Sequence, residues 1–414
     1  MFSKWQWLLS HITSTLWVRA CLFALVAVIA ALLGILADDF EEISLPFDVG
    51  ISTVDHILDI LANSMLMITT FSLSVMVTAY VAATNNVTPR ATTLIRKDST
   101  TQNVLATFIG SFLFSLVGII ALNTEMYGHN GRLTLFAFTL AVIVLIIVTI
   151  FRWIEHLSLL GRVGETANQL EKTTAEALSH YFKSPTLGAN PLYNLEHIPD
   201  SATPLYPQQV GYLQHLDMQM LEACAVAFDG EIYLAAVPGT LLHQRKAMAW
   251  YTGKPDDKQI TGLREAFSID HERSFDQDPR FGLCVLTEVA QRALSPAIND
   301  PGTAIDVISR HLRLLAPWKD SVAPEQQEIQ YKHLFITPLD PNNLFDDAFL
   351  PIARDGGKML EVHIRLHKAL HALAEQGSEA LTQAARECSL KAMEYAEACL
   401  TLETEKQVIR AYKM

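Results

Sequence analysis

Residues 273–303 hold the densest group of side chains that could do chemistry. Arg273, Asp276 and Asp278 stand just before one predicted helix, and Ser295, Asn299, Asp300 and Thr303 stand around the start of the next. Both helices open with Asp-Pro, where the Asp suits an N-cap and the Pro suits a first position whose N–H has no partner. The tight connector Ser295-Pro296-Ala297-Ile298-Asn299 predicts a helical hairpin with its two N-termini close together. Helix N-termini offer free N–H groups to anions, so the seven residues form a candidate ligand or interface site. The plainer account has Asp278, Asp300 and Thr303 capping helices while Arg273 neutralises a carboxylate.

Metal chemistry finds thin support. Asp276-x-Asp278 offers two oxygen ligands of the kind hard cations take, without the further ligands they need. His363, His367 and His371 recur every four residues on one predicted helix, a spacing compatible with a metal. The neighbouring Leu366, Leu370 and Leu373 favour a boundary or interface face, and the Glu of a metalloprotease helix is missing. The chain has no G-x-S-x-G, no Walker A motif, no kinase signature and no paired Cys/His arrangement. No catalytic, cofactor-binding or metal-ligating residue is therefore assigned, and any cofactor is unknown.

A second group lies in an apolar stretch. Asn63, Thr70, Ser74 and Thr78 place an amide and three hydroxyls along one face of a predicted helix. They suit the wall of a hydrated path, or they hydrogen-bond between helices or back to their own carbonyls. Just beyond that helix come Pro89 and Arg90, candidates for coupling membrane helices to the region that follows, or for contact with lipid phosphate.

Four stretches reach the roughly 20 apolar residues that a bilayer demands: about 16–37, 58–82, 104–122 and 133–153. The first is long enough to span and lacks a small-x-small cleavage site, so it reads as a span and not a leader. The third carries Ala106, Gly110, Ser111, Ser115 and Gly118, small residues that let helices approach closely. Lys4, Arg19, Arg90, Arg96, Lys97, Arg152 and Arg162 fall on one side of this arrangement, and Asp38-Asp39-Phe40-Glu41-Glu42 on the other. By the positive-inside rule both termini are cytosolic. No charged residue falls mid-membrane, which argues against a proton-driven carrier.

The remainder reads as an α+β cytosolic domain. A helical stalk and linker cover 156–204, a small β-rich module 205–275, and a helical region 276–414 that contains the hairpin, C-terminal helices near 343–353, 356–376 and 379–412, and a strand near His333–Thr337. Net charge is −13 over 414 residues, and the part beyond residue 155 holds 24 basic and 34 acidic side chains. Nucleic acid and anionic surfaces recruit basic patches, so nucleic acid is excluded as an expected partner. The five cysteines form no C-x-x-C, which fits buried thiols in a reducing compartment.

The run RSFDQDPRFGLCVLTEVAQRALSPAINDPGTAIDVI, residues 273–308, resembles the signature of a bacterial family of predicted membrane proteins, DUF2254. NNVTPRATTLIRKDSTTQNVLATFIGSFLFSL, residues 85–116, is similar to that family's second landmark, with Thr88 where the family has Ser. GYLQHLD and the Pro238-Gly239 pair match as well. The resemblance implies helices first and a soluble domain after, and implies no activity.

The expectation is a multi-domain membrane protein of the bacterial inner membrane, a four-helix transmembrane bundle followed by the α+β domain. Functionally it reads as an oligomeric channel or permeation protein, or alternatively as an anchored sensor or scaffold. Its expected partners are the bilayer, further copies of itself, and a small ligand or ion.

Overall fold

The computed structural model describes residues 18, 21–22, 24–26, 28–29, 51–91, 93–94, 98–124, 129–158, 161–376 and 378–414. The first apolar stretch, about 16–37, lies largely outside these residues, as do Lys4, Arg19, Arg96 and Lys97. The chain forms two compact units. One comprises residues 51–85 and 93–165, and the other Asn86–Ala91 with Thr166–Met414.

Among the described residues, three helices are long and apolar enough to cross a membrane: α1 (Ile51–Asn86), α2 (Ser99–Asn123) and α3 (His129–Leu157). Each extends beyond its predicted limits, because polar end turns continue the helix past the apolar run. The innermost is α2, with 61% of its apolar window buried against 17% for α1 and 22% for α3. Its Ala106, Gly110, Ser111, Ser115 and Gly118 are all buried, as the small-residue pattern implies. A Cβ on Gly118 would meet Leu58 Cδ1 at 3.0 Å, so a side chain there would push α1 away. Val54, Leu58, Phe114 and Leu135 pack together toward one end, and Met65, Phe108, Ile146 and Trp153 toward the other.

The predicted stalk is not continuous with the last span. The backbone turns at Gly161 (φ +79°), a left-handed conformation open to glycine, before α4 (Val163–Lys183) begins.

The α/β unit is built on two sheets. Strands β1 (Ala189–Pro191), β2 (Thr203–Leu205), β4 (Ile232–Leu234), β6 (Ala249–Tyr251) and β8 (Tyr331–Ile336) form a five-stranded sheet in the order β1-β8-β4-β6-β2. In it β8 runs parallel to both β1 and β4, and the remaining pairs are antiparallel. A three-stranded antiparallel sheet places β3 (Gly211–Leu216) between β5 (Leu241–Leu242) and β7 (Phe267–Asp270). Leu213, Leu216, Ile232, Leu234 and Leu334 share one core between the two sheets.

Two features differ from the sequence reading. The β1 and β8 strands come from outside 205–275, so the sheet draws in segments on both sides of the expected module. Met218–Ala227, inside the segment read as a β-rich module, is helix α5. Asp217 caps it, accepting from Met220 N at 3.0 Å, and Met218, Leu221 and Ala225 at helical spacing turn inward. A second short helix, α6 (Asp257–Glu265), also interrupts the strands and opens with a capping box between Asp256 and Gln259.

The helical layer contains the predicted hairpin, α7 (Pro279–Ala293) and α8 (Pro301–Leu315). It continues with α9 (Pro341–Gly356), α10 (Leu360–Gln376), α11 (Glu379–Cys399) and α12 (Glu403–Arg410). An Asp-Pro pair opens α9 too, since Asp340 accepts from Asn342 N at 2.9 Å. The expected helix over 379–412 breaks at Leu400–Leu402, where the backbone becomes extended. Phe345, Phe349, Ile352, Leu366 and Leu370 are fully buried, each stabilising by about 1.5–3 kcal/mol through removal of apolar surface from water.

Candidate functional site

Asp278 is the best-held polar side chain near the hairpin. As N-cap of α7 it accepts from Phe281 N at 3.1 Å. It also receives a two-pronged bond from Arg273, Nε to Oδ2 at 2.7 Å and Nη2 to Oδ1 at 3.0 Å. Its side chain is 1% exposed and that of Arg273 is 21% exposed. Burial pushes the Asp278 carboxyl up, and the guanidinium pulls it back. The Arg273 guanidinium also lies 5.0 Å over the Phe281 ring, a cation–π contact. Gly239 closes the cage, because a Cβ there would sit 2.2 Å from Asp278 Oδ2, and its φ of +92° favours glycine.

Around this pair, Gln277 ties α7 to β3 by accepting from Leu216 N at 2.9 Å, and Tyr181 of α4 donates to Gln277 O at 3.0 Å. Burial pushes the Cys284 thiol up to about 11, with the Asp347 carboxylate acting in the same direction. Such a thiol is protonated and unreactive at neutral pH. Asp276 accepts from Ser274 Oγ at 2.9 Å.

The other members of the predicted constellation are elsewhere. Asp300 caps α8, accepting from Thr303 N at 3.1 Å and Thr303 Oγ1 at 2.6 Å. Ser295 Oγ donates to Arg292 O at 2.6 Å, and Asn299 takes the left-handed backbone (φ 54°) that turns the chain. Asp300 N bonds Ala293 O at 2.8 Å, so α8 starts where α7 ends. The 15 residues of α7 separate the two N-termini by about 21 Å at 1.5 Å per residue. The seven residues therefore form two capping structures, not one pocket. The hairpin geometry corrects the expectation that its N-termini meet.

Asp278 is fully engaged by Arg273 and its cap, which leaves Asp276-x-Asp278 no joint site for a cation. The three histidines divide their ring nitrogens among separate partners. His363 Nε2 pairs with Gly357 O at 3.0 Å, His367 Nδ1 with Ser389 Oγ at 3.0 Å, and His371 Nε2 with Tyr412 O at 2.8 Å. Among the described residues no group of three or more His, Cys, Asp or Glu is placed to hold a metal.

The segment after α1 belongs to the α/β unit. Val87, Thr88 and Ala91 are buried in it, Thr88 Oγ1 accepts from Ala91 N at 3.2 Å, and Arg90 pairs with Glu288 of α7. Pro89 and Arg90 follow α1 in the chain, and the Arg90 ion pair lies within the α/β unit.

On α1 itself Asn63, Thr70, Ser74 and Thr78 are all exposed. Thr70 Oγ1 donates to Met67 O at 2.9 Å and Thr78 Oγ1 to Ser74 O at 3.0 Å. Asn63 Nδ2 donates to Asp59 O at 3.0 Å and to Asp59 Oδ1 at 3.2 Å. The buried side of the helix is instead Val54, Leu58, Ala62, Met65, Ser72 and Ala79. Among the described residues the hydrogen bonds of Asn63, Thr70 and Thr78 run within their own helix.

Two polar assemblies escaped the sequence reading. His156 Nε2 meets Asp98 Oδ2 at 2.7 Å, tying the N-cap of α2 to the last turn of α3, with Trp153 stacked at 5.9 Å. Glu171 of α4 receives Arg310 Nη1 at 2.6 Å and Arg313 Nε at 2.7 Å from α8. Against the effect of burial, Arg313 and Arg310 hold Glu171 below the usual carboxylate range. The partners lie 58 and about 140 residues apart, and only the i, i+3 spacing of Arg310 and Arg313 on one helix face hinted at either.

Comparison with known proteins matches residues 13–372 to a family model described as "Predicted membrane protein (DUF2254)". Uncharacterized proteins of Mycobacterium bovis and Mycobacterium tuberculosis are 26% identical over 255 residues, covering 59% of this chain and 49% of each relative. The chain thus spans about half the length of the curated relatives it matches. No solved structure matches.

Proposed function

The chain belongs to the DUF2254 family of predicted membrane proteins, and on that footing we propose that it is a subunit of an oligomeric inner-membrane channel or permeation protein regulated through its α/β unit. The carrying observation is the exposure of Asn63, Thr70, Ser74 and Thr78 in the single subunit. An amide facing hydrocarbon is costly, and a polar face at membrane depth is stable where it lines water or protein. One helix cannot enclose a path, so copies must be arranged with this face inward, as closed symmetric oligomers allow. The α1 helix continues directly into Val87–Ala91, held by the Arg90–Glu288 pair, which offers the α/β unit a lever on it. Both termini are assigned to the cytosol, since the basic connectors follow the positive-inside rule.

The second reading, an anchored sensor or scaffold, draws on the same hydroxyls. Thr70 and Thr78 are satisfied by their own helix and tolerate lipid. Flux through proteoliposomes separates the two readings. Permeation of ions or small solutes, altered when Thr70, Ser74 and Thr78 are replaced together by Val without change in assembly, is the expected result. A tight vesicle under every condition favours the anchor.

A further inference from the structure

Helix α9 holds a proline, Pro351, well inside its run from Pro341 to Gly356. Proline has no N–H, so the carbonyl four residues back, Asp347 O, loses its helical donor. The surroundings are dry. Ala348, Phe349 and Ile352 are fully buried, and Thr287 of α7 is 2% exposed. A carbonyl left bare there would cost as much as a lost hydrogen bond. Thr287 Oγ1 supplies the donor, lying 3.0 Å from Asp347 O and 3.1 Å from Ala348 O. The hydroxyl has one proton and gives it to these carbonyls. Its 3.0 Å contact with His311 Nε2 of α8 is therefore one in which the imidazole donates. Neutral His311 then keeps Nδ1 bare, which fits the absence of a partner at that atom. The donors run in one direction across three helices, from His311 to Thr287 to the carbonyl that Pro351 frees.

The break sets one turn apart. Only Ile352–Asp355 stand between Pro351 and the pair Gly356-Gly357, where the backbone leaves the helix at a φ of +52°. This turn has its own attachments. Asp355 accepts from Gln291 Nε2 of α7 at 2.7 Å, and Gly357 O accepts from His363 Nε2 of α10 at 3.0 Å. We propose that the turn is a swivel between α9 and α10, locked by Thr287 acting as a substitute backbone donor. Sharp bends in helices concentrate at prolines, where the ladder of hydrogen bonds is interrupted. Here a side chain from another helix closes the gap, so withdrawing its hydroxyl frees the turn while the helices on either side stay folded. The proposal stands apart from the permeation reading and concerns the α/β unit alone.

The test is amide hydrogen exchange of the full-length protein in detergent, comparing Thr287→Val, Pro351→Ala and the double variant with the wild type. Thr287→Val keeps the shape and removes the donor. It is expected to speed exchange over residues 352–357 at least tenfold, with α11 changed less than twofold. Pro351→Ala restores the backbone N–H and should slow exchange over 352–357 several-fold. In that background Thr287→Val should change the rate less than threefold. The His311 contact is lost equally in both backgrounds, so the comparison isolates the Asp347 carbonyl. Equal acceleration with and without Pro351, or acceleration spread evenly over α11, overturns the swivel. So does a Pro351→Ala variant that exchanges at the wild-type rate, and this result decides even where Thr287→Val alone does not fold.

Discussion

Acidification from pH 7 to pH 5 should remove about 4 kcal/mol from the stability of the α/β unit, through histidines buried without charge. His311 and His367 are both fully buried. Each has a hydrogen-bonded ring nitrogen, His311 Nε2 to Thr287 Oγ1 at 3.0 Å and His367 Nδ1 to Ser389 Oγ at 3.0 Å. The other nitrogen, His311 Nδ1 or His367 Nε2, has no partner for the proton that acid would add. Burial lowers His311 to about 3. It lowers His367 to about 4, helped by His363 and His371. In the unfolded chain both titrate near 6.5. Their stabilising effect is complete above that value and is lost as pH falls toward the folded-state values, because only the unfolded chain takes up protons in between. At pH 5 each contributes a loss of about 2 kcal/mol, at about 1.4 kcal/mol per pH unit. His363, also lowered by burial, acts in the same direction. Urea unfolding of the full-length protein in detergent, followed by circular dichroism, should show a midpoint drop of about 1–2 M. A double variant, His311→Gln with His367→Gln, separates this effect from the titration of carboxylates and should lose most of the drop. Equal pH dependence in the double variant and the wild type would refute the reasoning.

Further expectations concern the helix caps and the junction. Asp278→Ala should cost about 3–5 kcal/mol because it strands Arg273, whereas Asp300→Ala, at an exposed cap, should cost about 1 kcal/mol, both read from unfolding midpoints. Gly239→Ala should destabilise by about 2 kcal/mol or more, since its Cβ collides with Asp278 at a positive φ. Gly164→Ala, with nothing within 4 Å, should be neutral or mildly stabilising in the same thermal-unfolding measurement. Arg90→Ala removes a half-exposed ion pair and should shift stability by no more than about 1 kcal/mol. If the pair transmits motion to α1, conductance should change out of proportion to that small shift.

The sequence disclosed the elements that depend on local chemistry. Apolar runs marked three spans, Asp-Pro marked the starts of α7 and α8, and the small residues of α2 marked close packing. It misled where tertiary partners decide. Met218–Ala227 fell inside the expected β-rich module because apolar residues dominate it, and only the Asp217 cap and the positions of Leu221 and Ala225 reveal a helix. The β1 strand has only three residues and β8 lies about 140 residues further along the chain, so the sequence could not show that they join one sheet. The candidate site divided for a geometric reason: a hairpin brings the end of one helix to the start of the next, so two equally capped starts lie a helix length apart. The sequence marked Asp278 as a cap and Arg273 as the neutraliser of a carboxylate, but did not show that the carboxylate is Asp278 itself; nor was Gly239 legible, because its role is to leave room for a carboxylate encoded 39 residues later. The exposure of the α1 stripe is a property of packing, which spacing alone could not supply.

The central claim is that the exposed face of α1 meets water in the assembled protein. Single cysteines at Thr70, Ser74 and Val144, placed in a chain whose five native cysteines are replaced, can be probed in intact membranes with a charged, membrane-impermeant thiol reagent. Modification at positions 70 and 74, with none at the exposed, apolar α3 position 144, is the result the account predicts. Positions 70 and 74 reacting only with a lipid-soluble maleimide, like position 144, would contradict it.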